Sequence, residues 1–200
     1  MSVEKKRNPT DPLCYNVLVN THGKRAMLMK HKACLLGVPE LFLDGAKVLF
    51  PFLKAKLLTF MLIAEKNIRR DKLCEYLWPD KETEKGRRNL SNALSYVRTV
   101  IPVQMNNREV VSIKPSLHIA RDTDLLSSLD RLSLNEMIKI NGIFMDLPEA
   151  EDLESFCCWL FPKRQQYHEL FVDGLRKRAN AFQRPSPSII WRREPAGFSR

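Results

Sequence analysis

The stretch Arg69–Pro102 reads RRDKLCEYLWPDKETEKGRRNLSNALSYVRTVIP. Its spacing predicts a short helix, a polar connection and a longer helix. Leu73, Leu77 and Trp78 fall on one side of the short helix, and Pro79 ends it because proline cannot supply the next backbone N–H. Leu90, Ala93, Leu94, Val97 and Ile101 form the 3.6-residue apolar stripe of a helix laid on a core. On the opposite side Arg88, Asn92, Ser95 and Thr99 follow at i, i+4, i+7 and i+11, with Arg87 and Ser91 beside them. That side contains no carboxylate and carries side chains that reach phosphates and base edges. The competing interpretation is an ordinary solvated helix face.

Charge is unevenly distributed around this stretch. Residues 33–121 hold fifteen Lys and Arg against nine Asp and Glu, whereas residues 122–174 hold four against eleven. The first 32 residues and the last 26 are both basic. A basic first half suits a polyanionic partner; the acidic half that follows would be repelled by it and is expected to do another job. No apolar run approaches the length of a membrane span. The N-terminus lacks the apolar region of a signal peptide, so a cytoplasmic protein is expected. Five cysteines without a CxxC pair argue against a disulfide framework or zinc ribbon. His31 and Cys34 stand at H-x-x-C spacing, too few ligands for zinc.

Outward from the central stretch, residues 1–32 form a polar, basic tail in which CYNVLV is a short apolar run. ACLLGV, ELFLDG and AKVLF then read as three short strands, with Asp44-Gly45 as a turn. Pro51 suits the first turn of a helix whose buried stripe is Leu53, Leu57, Phe60, Met61 and Ala64. Beyond Pro102, EVVSI and LHIA flank Lys114-Pro115-Ser116, which reads as a hairpin turn. Residues 122–182 have helical spacing. TDLLSSLDRLSLNEMIKI is one candidate and WLFPKRQQYHELFVDGLRKRANAF another, with Pro162 near its start and Leu170, Phe171 and Leu175 on one face. Phe156, Trp159, Leu160 and Phe171 would either pack on the first half or form a partner surface. Residues 183–200 read as a tail.

In combination, LLGVPELFLDG, RRDKLCEYLWPD and NLSNALSYVRTVI resemble the OmpR-type winged helix, and more narrowly that of SARP-like bacterial transcriptional activators. GIFMDLPEAEDLESFCCWLFPKRQQYHELFVDGLRKRA is similar to part of the bacterial transcriptional activator domain that follows it in that family. The resemblance implies an α+β fold. A winged helix-turn-helix over 33–121 would be followed by a smaller all-α, TPR-like segment over 122–182. It also implies a sequence-specific regulator of transcription that binds double-stranded DNA, with RNA polymerase as a partner and a dimer on direct repeats. No cofactor is implied. The family places Ser or Thr ahead of the short helix, where this chain has Arg69, which leaves that helix without its usual hydroxyl cap. The family's second domain also has more helices than 122–182 can supply, so a shortened chain or a fragment of a longer regulator is expected.

Carried over residue by residue, the helix around Arg87–Thr99 would enter the major groove. Arg88 would meet guanine O6/N7 or a phosphate, and Asn92 adenine N6/N7. Ser91, Ser95 and Thr99 would bond bases or backbone, and Lys85 and Arg87 phosphates. Arg98 has either a structural or a phosphate role. Lys114, in the wing turn, would approach the minor groove or its phosphates, unless that turn is an ordinary surface hairpin. Catalysis finds little support. The chain has no phosphate-cradling glycine loop, GxSxG or HExxH. Cys157 and Cys158 with His168 lack an orienting third group. Glu149, Glu151, Asp152 and Glu154 read as a solvated acidic loop. The alternative to a DNA-binding regulator is a protein-interaction module that uses the winged helix as scaffold.

Overall fold

The computed structural model describes residues 31–140 and 142–183. The expected tails and the CYNVLV run lie outside the described residues, apart from His31 and Lys32, which open the first strand.

Three short strands lead the chain: β1 (His31–Cys34), β2 (Glu40–Leu43) and β3 (Ala46–Lys47). The β2–β3 connection is the Asp44-Gly45 turn, with both residues at positive φ. That is the twist a two-residue hairpin requires. Helix α1 (Leu53–Glu65) follows, one residue beyond its N-cap Phe52. The expected stripe holds at Leu57, Phe60 and Met61, but Leu58, Leu62 and Ile63 are buried as well. α1 is therefore enclosed on nearly all sides and acts as the central helix rather than an amphipathic surface one.

Strand β4 (Asn67–Arg69) runs directly into α2 (Arg70–Leu77), and α3 (Thr83–Val100) follows after Pro79. Leu73, Leu77 and Trp78 are buried, as are Leu90, Ala93, Leu94, Val97 and Ile101. Arg69 is the N-cap of α2 and makes no side-chain cap bond. Its guanidinium instead binds Asp71 through Nε at 3.1 Å and Nη2 at 2.6 Å. Asp71 itself lies in the first turn, where the helix dipole favours an acid.

The hairpin is displaced from its expected place. β5 (Val103–Asn106) pairs antiparallel with β6 (Val110–Ile113), and β4 adds to the other side of β6. The tip is Asn107-Arg108, both at positive φ, closed by the Glu109 N–H donating to the Asn106 carbonyl at 3.1 Å. Lys114-Pro115-Ser116 is not a hairpin turn. It carries the chain from β6 to β7 (Ile119–Arg121), which joins the other sheet parallel to β1. LHIA has no pairing partner in EVVSI because its ladder goes to β1. The four-stranded sheet runs β3-β2-β1-β7, and the three-stranded sheet β4-β6-β5.

The second half is helical, with different boundaries. TDLLSSLDRLSLNEMIKI is not one α-helix. Asp122–Arg131 is a 3-10 segment kinked at Ser128, and α4 (Leu134–Lys139) follows behind a Ser133/Glu136 capping box. The chain then returns to the end of β1. The Gly37 N–H donates to the Ile143 carbonyl at 2.8 Å, and Met145 N–H to the Leu35 carbonyl at 2.7 Å. α5 (Glu154–Gln183) begins eight residues before Pro162 and passes through it. The carbonyl that Pro162 cannot serve belongs to Cys158; both residues are exposed, so water can take the missing donor's place.

One hydrophobic core serves both halves. Phe144, Met145, Leu147, Ala150, Phe156, Trp159 and Leu160 belong to the cluster built on α1, α2 and α3. Phe144 stacks on Tyr167 with ring centroids 4.4 Å apart. A smaller cluster of Leu126, Leu129, Met137 and Ile140 lies under α5, with Phe171 packed against it. Leu170 and Leu175 remain exposed, so the expected apolar face over those three residues is only partly covered. Gly174 permits this closeness: a Cβ there would come 2.8 Å from the Leu129 Cβ. At the junction, the Asp122 carboxylate accepts backbone N–H bonds from Leu35, Leu36 and Thr123 at 2.8–2.9 Å. Burial pushes its carboxyl up, and those donors oppose the shift.

Candidate nucleic-acid interface

The buried stripe of α3 determines what its other side presents. With Leu90, Ala93, Leu94 and Val97 in the core, the exposed residues from Arg87 to Thr99 are Arg87, Arg88, Ser91, Asn92, Ser95, Arg98 and Thr99. None is acidic. The helix is anchored along its length. Tyr96 donates its hydroxyl to the Leu49 carbonyl at 2.8 Å and meets the Phe50 and Phe52 rings at its edge.

The hydroxyls on this face are already engaged as donors. Ser91 donates to the Arg87 carbonyl at 2.9 Å, Ser95 to the Ser91 carbonyl at 3.0 Å and Thr99 to the Tyr96 carbonyl at 2.7 Å. Their oxygens keep acceptor lone pairs and can receive a bond from a base amino group. Arg88 and Asn92 make no hydrogen bond with the described residues, so both side chains are available. Lys85, in the first turn, is 3.9 Å from Glu82. At that distance and exposure the pair is worth little.

Seven of the eight expected residues therefore share the outer side of α3: Lys85, Arg87, Arg88, Ser91, Asn92, Ser95 and Thr99. Lys114 is exposed but stands apart from the hairpin tip, separated by the length of β6, about 13 Å at ~3.3 Å per residue. The tip residue is Arg108. Its signal in the sequence was Asn106-Asn107 between two strand-like runs, since asparagine tolerates positive φ. Arg70 was also missed. Its backbone N–H donates to the Glu109 carbonyl at 2.8 Å and its Nη1 to the Arg108 carbonyl at 3.4 Å, tying the start of α2 to the hairpin tip.

The thiol alternative loses ground on geometry. Burial pushes the Cys157 thiol up, away from the thiolate form that reacts. Its sulfur faces the Ala150 and Glu151 carbonyls, whereas His168 lines a cavity of about 500 Å³ beside Tyr167 and Phe171. No group of three or more potential metal ligands occurs among the described residues. No helix among them is long and apolar enough to cross a membrane.

No family model matches the chain, and no curated protein matches it by sequence. A solved structure does match in fold: Mycobacterium tuberculosis EmbR in complex with a low affinity phosphopeptide, at a TM-score of 0.54 and 15% sequence identity. The two chains share a fold. The match covers 76% of this chain but 45% of EmbR, so the chain spans less than half the length of that neighbour. At this identity the likeness establishes the α+β winged-helix-plus-helical architecture, and function must be argued from the site.

Proposed function

We propose that the chain is a sequence-specific regulator of transcription that binds double-stranded DNA through α3. The observation that carries this reading is the composition of the exposed side of α3. From Arg87 to Thr99 every exposed residue is Arg, Ser, Asn or Thr. A merely solvated helix face of that length ordinarily mixes in Asp or Glu. Arg88 is assigned to guanine O6/N7 or a phosphate, and Asn92 to adenine N6/N7. Ser91, Ser95 and Thr99 accept from bases or meet the backbone, and Lys85 and Arg87 neutralise phosphates. Lys114 adds at most a phosphate contact. The fold shared with EmbR supports the same reading. Activation through RNA polymerase and binding as a dimer on direct repeats belong to this proposal by resemblance to SARP-like activators.

The test is selection of binding sites from random duplex DNA, followed by titration of the selected site against salt. Neutralising five to seven phosphates gives a slope of log K on log salt of about −5 to −6. Absence of duplex affinity at low salt would overturn the reading. Purified RNA polymerase on a promoter carrying the selected site then tests activation.

A further inference from the structure

Beside α3 lies a second charged feature. A cleft of about 310 Å³ is lined by Arg69, Arg70, Asp71, Arg87, Arg108 and Glu109. These residues come from the start of α2, the start of α3 and the hairpin tip. The two carboxylates do not cancel the four guanidinium groups. Asp71 is held by Arg69 through two bonds. Glu109 contributes its backbone carbonyl to Arg70 rather than its carboxylate. Most telling is Arg70: its Nε is buried and has no acceptor among the described residues. The rest of that guanidinium reaches only the Arg108 carbonyl, through Nη1 at 3.4 Å, so among the described residues no carboxylate neutralises it.

We propose that this cleft holds one backbone phosphate of the bound duplex, taken between Arg70, Arg87 and Arg108. The inference rests on the DNA-binding reading and adds to it a specific anchor outside the base-reading row. Arg87 belongs both to the cleft and to the exposed side of α3. An anion in the cleft therefore sits at the edge of the surface that reads bases. Guanidinium groups match the paired oxygens of a phosphate, which a lysine cannot do with the same geometry. One phosphate bridging α3 and the hairpin fixes the angle at which α3 enters the groove. Arg70 and Arg108 then act as positioning residues.

The full-length chain and its selected site provide the test. Methylphosphonates, which remove the charge of single phosphates, are placed one at a time along the duplex. At one position the substitution should weaken wild-type binding about tenfold, as loss of a charge-assisted contact does. The same substitution should cost less in Arg70→Gln and in Arg108→Asn than in wild type, since one of the three partners of that phosphate is gone, and least in the double variant. Each variant should lower the salt slope by about 1 and weaken selected and random DNA alike. Arg108→Asn suits the positive φ at the tip, so it serves where Arg70→Gln disturbs folding. Glu109→Gln, which removes a negative charge from the cleft, should tighten binding. If the wild-type chain binds duplex DNA but no phosphate couples to Arg70 or Arg108, the cleft proposal falls and the DNA reading stands. If inorganic phosphate occupies the cleft while no position on the duplex couples, the site belongs to a free anion and the proposal also falls. If the chain binds no duplex, both fall.

Discussion

The Trp159 indole N–H donates to Glu65 Oε1 at 2.6 Å, joining α5 to the last residue of α1 across the junction between the two halves. Lys163 Nζ lies 3.2 Å from the same carboxylate oxygen, and Lys56 Nζ 2.8 Å from Glu149 farther along the same contact. Ion pairs in both directions and one indole hydrogen bond thus join the two halves over a common apolar core.

This arrangement predicts that the halves do not fold apart. A chain ending at residue 125 would lose Phe144, Met145, Leu147, Phe156, Trp159 and Leu160 from the core. Each large buried side chain is worth about 1.5–3 kcal/mol, and the sum is comparable with the whole net stability of a domain, about 5–15 kcal/mol. Near-UV circular dichroism and urea titration of residues 1–125 should show no cooperative native state. A cooperative transition like that of the full chain would refute the shared core.

On α3, Arg88→Ala and Asn92→Ala should each cost about 1–3 kcal/mol of binding on the selected site and much less on random DNA. Lys114→Ala, away from the hairpin tip, should change affinity less than Arg108→Asn on either sequence. Leu94→Ala is the folding control. Leu94 is 1% exposed, and the cavity left should cost about 2–5 kcal/mol of stability. Equal losses on both sequences for Arg88 and Asn92 would restrict them to backbone contacts.

Two glycines should behave in opposite ways. Gly86 lies inside α3, and an added Cβ would meet Cys74 Cβ at 3.7 Å, an ordinary contact. Gly86→Ala should therefore stabilise the chain by about 0.5–1 kcal/mol through helix propensity. At Gly142 a Cβ would fall 2.7 Å from the Gly37 backbone nitrogen and 2.9 Å from the Leu36 carbonyl carbon. Gly142→Ala must then push the returning strand off the end of β1 and destabilise. Thermal melts of the two variants in parallel check both signs.

Asp122→Asn should cost about 1–3 kcal/mol, because an amide NH₂ would replace a carboxylate oxygen facing the Leu35 and Leu36 N–H groups. The pH dependence has a defined sign. Burial raises the folded carboxyl above its unfolded value. A group so raised contributes stability in full below the unfolded pKa of about 3.9, and that contribution fades as pH rises through the folded value. The stability gap between wild type and Asp122→Asn should therefore narrow as pH rises from about 4 toward neutrality. Urea titrations of both proteins across that range measure it, and a gap that widened would reverse the assignment.

Local pattern alone was enough for much of the first half. The stripe Leu90, Ala93, Leu94, Val97 and Ile101 defined both the buried side of α3 and, by exclusion, the side that carries Arg88 and Asn92. Asp44-Gly45 specified its turn because only left-handed backbone closes a hairpin that short. Pro79 specified the end of α2 region for want of an N–H. These features depend on residues within a few positions of one another. Pairing partners did not follow from such information. LHIA resembles a hairpin arm, yet its ladder partner is β1, more than eighty residues earlier, and only the folded chain brings them together. Pro162 was misleading as a helix start because the exposed surroundings that make an interior proline tolerable are a tertiary property. The same holds for the core shared by Phe144, Trp159 and α1, and for the cleft of Arg70, Arg87 and Arg108. Residues from three separate segments meet there, and nothing in the spacing of any one segment records the other two.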